Sequence, residues 1–362
     1  MTRHLLHVFP AFELGGAQVR TAAWINALGR SFRHTIVSIN GRLDGRERID
    51  PLLDVAFPTA PGSGLGLPGR LRSYRRFIRE TAPDVMLTNN WGSIEWTLAG
   101  RLAGVRRLLH VESGFGSDEA AGDFRRRALI RRKVLTGRVV TVVPSQALRR
   151  RALESWRLDP GRLRVVPDGI DTAKFAGAAA GRPGREEPVV GTVAVLREEK
   201  RLDVLIEAFA AVRARLPATL LIAGDGAERG RLEARAEALG LAGDIEFTGM
   251  IRDVESVYPR LDVFALSSST EQFPNAVLEA MAAGLPVAAT AAGDVPMMVA
   301  PENAPFIVPL GDAATLAAAI EALARDPALR ERIGGANQRR ARQSFDVEAM
   351  VRAYRALLEE GY

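Results

Sequence analysis

The sequence predicts an α/β protein with two doubly wound, parallel-sheet domains. Three observations carry that expectation. The chain has 362 residues, enough for two domains of ordinary size. Hydrophobic residues make up 47%, so each half can build its own core. Both halves alternate short apolar runs with longer amphipathic ones, as strands and helices alternate in parallel layers.

In the first half, residues 4–9, 34–39, 85–88, 107–110 and 139–143 are short apolar runs and read as strands. Between them, residues 19–28, 71–80 and 124–135 have helical spacing. Residues 175–187 are rich in Ala, Gly, Pro and charge, and read as a linker. The second half restarts with a strand at 189–195. A helix follows at 202–215, a strand at 219–223, a helix at 228–239 and strands at 245–248 and 261–266. Everything beyond Asp312 reads as helix. The expected domains are 1–170 and 171–345, facing each other across a cleft. The final stretch, 346–360, reads as an amphipathic helix.

Charge is unevenly divided. Residues 1–170 hold 28 basic and 15 acidic residues, net +13, and the remainder holds 21 and 28, net −7. A basic first half fits an anionic partner such as a phospholipid surface or a lipid phosphate. Arginine occurs 46 times and lysine three, so part of the excess is compositional. No nucleic-acid module is recognisable, and nucleic acid is not an expected partner. The basic triplets Arg125-Arg126-Arg127 and Arg131-Arg132-Lys133 bracket apolar Phe124, Leu129, Ile130, Val134 and Leu135. That pattern fits either a solvated helix face or a membrane-surface contact.

There is no cysteine, which removes disulfides, thiolate metal sites and a cysteine nucleophile. The four histidines, His4, His7, His34 and His110, lack metal-ligand spacing, and there is no Asp-x-Asp pair. No bound metal is expected. No leader-like stretch or run of about 18 apolar residues is visible, so a cytoplasmic location is expected, with contact to the inner membrane face as an option. Gly64-x-Gly66-x-x-Gly69 fits a dinucleotide pattern, but no strand precedes it, and it reads as a loop.

The most informative segment runs from Glu271 to Val287, EQFPNAVLEAMAAGLPV. A strand and a small polar loop precede it. Pro274 suits a helix start, while Gly284 and Pro286 end the helix. Glu271 then sits in a loop at a strand's carboxyl end, and Glu279 a turn and a half into the helix. In open α/β sheets ligands bind at that edge. Free N–H groups from Asn275 onward favour an anion there. The arrangement points to a phosphate at the helix start with sugar hydroxyls on the carboxylates.

Glu-x-Phe-Pro-Asn, Leu-Glu-Ala-Met-Ala and Gly-Leu-Pro-Val together resemble the glutamate-x7-glutamate signature of glycosyltransferase family 4, the retaining nucleotide-sugar enzymes of GT-B fold. Gln272 departs from it, since glycine is usual there. The resemblance implies that Glu271 contacts the donor sugar and Glu279 the nucleotide ribose. Phe273, Pro274, Asn275 and Ala276 would line the donor site. Gly15-Gly16, after the first strand, match the family's glycine loop near the donor diphosphate. In Arg197-Glu198-Glu199-Lys200, Lys200 matches the family's Glu-Lys dipeptide, and Arg197 stands two positions later than the usual arginine. Both would neutralise the departing phosphate, as a site without metal requires. His110 matches a histidine that contacts the donor sugar. Gly224-Asp225-Gly226 and Phe247-Thr248-Gly249 match loops around the nucleotide, and Gly293-Asp294 its lip. Met297 stands where an acid is usual. Val166-Pro167-Asp168-Gly169-Ile170-Asp171 matches a hinge, with Asp168 for asparagine, and the resemblance implies that the last helix, for which 346–360 is the candidate, crosses back to the first domain.

The implied substrate is a UDP- or GDP-linked sugar, used without a further cofactor. The expected acceptor is a growing surface glycan or a lipid-linked intermediate. Two alternatives stay open: transfer to a small soluble acceptor, in sucrose- or trehalose-type chemistry, and a nucleotide-sugar-binding subunit without turnover.

Overall fold

A computed structural model describes residues 2–13, 16–113, 125–176 and 187–359. The chain divides into two compact units, Met1–Gly169 with Val347–Tyr362, and Ile170–Asp346.

In the first unit the described strands are β1 (Arg3–Phe9), β2 (Phe32–Ser38), β3 (Val55–Ala56), β4 (Val85–Asn89), β5 (Arg107–Val111), β6 (Val139–Val143) and β7 (Leu163–Val165). Their order is β3-β2-β1-β4-β5-β6-β7, with every pairing parallel. Strand alternation divides the core. Leu5 and Phe9 of β1 face the layer containing helices Gly16–Leu28 and Val347–Glu359. Leu6 and Val8 face helices Leu67–Thr81 and Ile94–Ala103.

The C-terminal helix earns its place by spacing. Met350, Val351, Tyr354 and Leu358 form one buried face. Tyr354 stacks on Trp24, with centroids 5.2 Å apart and planes 5° from parallel. Arg3 and Arg107 both donate to the Leu358 carbonyl near the end of the helix, where no intrahelical donor remains.

The second unit contains β8 (Val189–Val193), β9 (Thr219–Ala223), β10 (Ile245–Gly249), β11 (Val263–Leu266), β12 (Val287–Thr290) and β13 (Ile307–Val308). The order is β10-β9-β8-β11-β12-β13, again all parallel. Winding runs outward from β8 through β9 to β10, then reverses and continues from β11. The topological switch point therefore lies between β8 and β11.

The expected linker at 175–187 needs correction. Phe175 belongs to a short helix, Ala173–Ala176, and is buried with its ring edge-on to Tyr258 at 5.5 Å. An aromatic ring held that way is core, so Phe175 belongs to the packed second unit. Residues 177–186 fall outside the described ones. The chain enters this unit at Ile170, whose N–H donates to Phe345 O (3.0 Å), and Thr172 Oγ1 donates to Asp346 Oδ2 (2.5 Å). Entry and exit are thus tied side by side.

Candidate active site

The loops that leave β8 and β11 meet at the switch point, and hydrogen bonds clip them together. Ser269 donates to Glu199 O from both its N–H (2.9 Å) and its hydroxyl (3.1 Å). Ser267 Oγ donates to Lys200 O at 2.9 Å. Between these clips, Lys200 Nζ donates to Glu271 Oε1 at 2.6 Å, and Ser268 Oγ donates to the same oxygen at 2.8 Å. The Lys200 side chain keeps 24% of its surface and that of Glu271 11%, so the pair is partly sheltered but reachable.

Close backbone packing holds the neighbouring loops. Gly224 follows β9 with φ +139°, and a Cβ there would lie 1.9 Å from Ala194 O of the β8 loop. Its N–H donates to Gly249 O at 3.0 Å, so Gly224 and Gly249 stand together at the sheet edge. Gly293, in the loop after β12, has φ +57°, and a Cβ would meet Glu271 O at 2.3 Å. Only glycine fits either position, for both conformational and steric reasons. Thr290 Oγ1 further secures the β11 loop by donating to Ser268 O at 2.7 Å.

Helix Asn275–Ala282 begins beside Glu271. Pro274 is its N-cap, in extended conformation, and no side chain caps the helix. Its first N–H groups have no intrahelical acceptor and carry the positive end of the helix dipole. The half-buried Asn275 and Ala276 open the first turn. The Phe273 ring is buried edge-on to Phe345 at 5.5 Å, so this residue presents backbone, not ring, to the loop. Glu279 lies further along the helix. Tyr258 Oη donates to its Oε2 at 2.5 Å. Burial pushes the Glu279 carboxyl above its ordinary range, and the tyrosine's bond opposes that shift.

Of the site residues expected in the second unit, Lys200 and Glu271 are brought together and Arg197 is not. Lys200 and Glu271 are in direct contact. Arg197 is 64% exposed at its side chain and approaches Glu199 at 4.0 Å, away from that contact. Gly16 opens the helix Gly16–Leu28 of the first unit, and Gly15 lies outside the described residues. His110, also in the first unit, was expected to be open to a ligand, but it is fully buried. It is the penultimate residue of β5, which continues to Val111. Its Nδ1 pairs with Thr88 Oγ1 (2.9 Å) and its Nε2 with Glu112 Oε2 (3.4 Å).

Glu112 is itself buried and takes a bond from Arg131 Nε at 3.2 Å. The Arg131 guanidinium lies over Trp156 at 4.3 Å and Trp91 at 4.9 Å. This corrects the reading of helix Arg125–Val134 as wholly surface-directed. Arg131 is a core residue whose charge is matched by Glu112 and two indole faces. Breaking such a buried pair costs roughly 3–5 kcal/mol. Arg125, Arg126, Arg132 and Lys133 remain exposed, together with Leu129 at 50%.

Sequence reasoning missed Tyr258 and Ser268. A serine in a polar loop carries no distinguishing signal. A tyrosine ahead of β11 reads as core unless its hydroxyl's partner is visible.

The chain is similar to known proteins over both units. A family model described as glycosyl transferases group 1 matches residues 179–340, and one described as a glycosyl transferase 4-like domain matches residues 15–169. A 2-deoxystreptamine N-acetyl-D-glucosaminyltransferase of Streptomyces fradiae is 33% identical over 345 residues, 84% of this chain and 81% of that one. A lipopolysaccharide core biosynthesis glycosyltransferase of Rhizobium meliloti, LpsE, is 35% identical over 199 residues, about half the length of that relative (55% of each chain). Among solved structures, Anabaena HepE in complex with UDP superposes with TM-score 0.83 at 20% identity, over 99% of this chain and 100% of that one.

Proposed function

The chain belongs to the GT-B glycosyltransferases of the family 4 type, and on that premise we propose that it moves a hexosyl group from a nucleoside-diphosphate sugar to a glycan acceptor, with retention and without a metal ion. The observation that carries the proposal is the junction at the β8–β11 switch point. There a lysine, a loop carboxylate and the start of an uncapped helix converge.

Each component has a task in sugar transfer. The helix start and Lys200 supply fixed positive charge for the diphosphate that departs, where negative charge grows most in the transition state. Glu271, once Lys200 turns to the phosphate, accepts hydroxyls of the donor sugar. Glu279 accepts ribose hydroxyls. We read no second carboxylate in the motif that could serve as the nucleophile of a double displacement. Same-face attack, with the leaving phosphate taking the acceptor's proton, suits this residue set. Arg197 reaches the phosphate from its exposed position only by reorienting. His110 acts through Glu112, whose carboxylate it helps hold, and not by touching the sugar.

Surface-glycan synthesis is the favoured context. Several relatives bear names of that kind, among them LpsE and the putative colanic acid biosynthesis glycosyltransferase WcaL of Salmonella typhimurium. A small soluble acceptor is the second reading, favoured because the relative aligned over 84% of the chain is named for 2-deoxystreptamine. The test is to incubate the protein with UDP- and GDP-sugars in excess chelator, with lipid-linked oligosaccharides or aminocyclitols as acceptors, and to read the product's anomeric configuration by NMR. The expected product keeps the donor's configuration. An inverted anomer, or activity that returns only with magnesium or manganese, would overturn the mechanism.

The exposed basic residues of helix Arg125–Val134 are also proposed to meet an anionic membrane surface. No helix among the described residues is long and apolar enough to cross a membrane. Each basic residue near an anionic bilayer contributes about 1 kcal/mol, screened by salt. The protein is expected to sediment with anionic but not neutral vesicles at low salt, and Arg126→Glu with Arg132→Glu to reduce binding at least tenfold. Arg131 is left intact because its role is internal. Wild-type protein that ignores anionic vesicles would favour the soluble acceptor.

A further inference from the structure

We propose that Tyr258 is the positioning residue for Glu279, holding one carboxylate oxygen from beneath so that the other faces a ribose hydroxyl. This rests on the reading of Glu279 as the ribose contact, and it extends the site to a residue outside the loops that carry the motif.

The geometry leaves the tyrosine little freedom. Tyr258 is fully buried and opens a short turn, Tyr258–Arg260, just before β11. Phe175 meets its ring edge-on at 5.5 Å, and Phe264 lies tilted at 6.2 Å. That aromatic setting directs the hydroxyl at helix Asn275–Ala282. There it finds Glu279 Oε2 at 2.5 Å and, more distantly, Ala276 O at 3.5 Å. A buried hydroxyl must be partnered, and the bond to a carboxylate is the stronger of the two. Glu279 itself is half-buried, and its second oxygen is not among the buried polar atoms that lack a partner.

A long acid on a helix ordinarily samples several rotamers. Binding a diol would then cost the entropy of fixing one. A buried donor on Oε2 removes that cost in advance. The bond also favours the charged carboxylate against the burial that penalises it. Tyr258 stays a donor throughout, because burial and the adjacent Glu279 push its own ionisation well above the ordinary tyrosine range. The other charged group that acts on Glu279 is Glu255, which raises its pKa. Glu255 acts equally whether or not the phenol is present.

The experiment is calorimetry of Tyr258→Phe and Glu279→Ala against wild type, with UDP and GDP as probes, between pH 4.5 and 8. The phenylalanine keeps the ring in its aromatic setting and deletes only the donor. Nucleotide affinity should fall about tenfold in Tyr258→Phe. In wild type, affinity should weaken as falling pH protonates Glu279. That midpoint should move to higher pH in Tyr258→Phe, because the charged form has lost its donor. Glu279→Ala supplies the baseline for the phosphates' own titration. Unchanged affinity and midpoint in Tyr258→Phe would overturn the proposal. So would weaker affinity at an unmoved midpoint, which marks a purely structural role. If Glu279→Ala binds like wild type, or wild type binds neither nucleotide, the ribose assignment itself falls and this inference falls with it.

Discussion

Lys200→Ala is expected to lose roughly two orders of magnitude or more in turnover while folding normally, the usual consequence of removing a preorganised charge from a developing anion. The structure sharpens this expectation in two ways. Lys200 is held at the switch point by backbone clips through Ser267 and Ser269, so its ammonium is delivered by a fixed loop. Its partner, Glu271, keeps the Ser268 hydroxyl when the lysine is removed, so the variant leaves no orphaned carboxylate to destabilise the fold. The measurement is kcat with the donor identified by screening, beside a thermal melt. Turnover within a few-fold of wild type would remove Lys200 from the chemistry. Arg197→Ala should show a much smaller loss, since that side chain is 64% exposed and stands apart from the pair.

Glu271→Ala is the second large effect, and it has an unusual signature. Transfer should fall about a hundredfold or more, because the proposed contact to the donor sugar is gone. Binding of the free nucleoside diphosphate should not weaken, and should strengthen a few-fold. In the wild type a diphosphate must draw Lys200 away from a carboxylate 2.6 Å distant, whereas in the variant the lysine is unengaged. Glu279→Ala is expected to do the opposite to the nucleotide and weaken it. Calorimetry with the nucleoside diphosphate alone separates the two. Equal losses of affinity from both variants would contradict the assignment of one acid to sugar and the other to ribose.

Much of the second unit was legible because its strands are long enough to show a pattern. Residues 219–223 were read with correct bounds, and helix Asn275–Ala282 with its terminators, because Pro and Gly punctuate those ends. Strands β3 and β13 have two residues each, and no periodicity exists over two residues. Strand β12 was absorbed into the motif that precedes it. The linker error had a physical origin: composition reports polarity, but Phe175 is placed by Tyr258, 83 positions later in the chain. Within the site, Lys200 and Glu271 could be named from their neighbours in sequence, but their mutual contact could not. Arg131 was misassigned for the same reason. Its counterparts Glu112, Trp91 and Trp156 are scattered along the chain, and helical spacing alone cannot distinguish an arginine facing water from one enclosed by indoles.

The Lys200–Glu271 pair also bears on how the catalyst resets. A lysine already paired with Glu271 is expected to give stray inorganic phosphate or mononucleotides little net attraction. Only a ligand that brings both a diphosphate for the cation and a sugar for the anion compensates both groups on separating them. On the proposed reading, once the sugar has been passed on the spent diphosphate holds the lysine, and Glu271, 71 positions later in sequence, is left with the Ser268 hydroxyl as its partner. Re-formation of the internal pair then competes with the leaving product and helps expel it. On this reading product inhibition is weak relative to donor affinity, and the same contact that turns away stray anions also shortens the residence of the spent diphosphate.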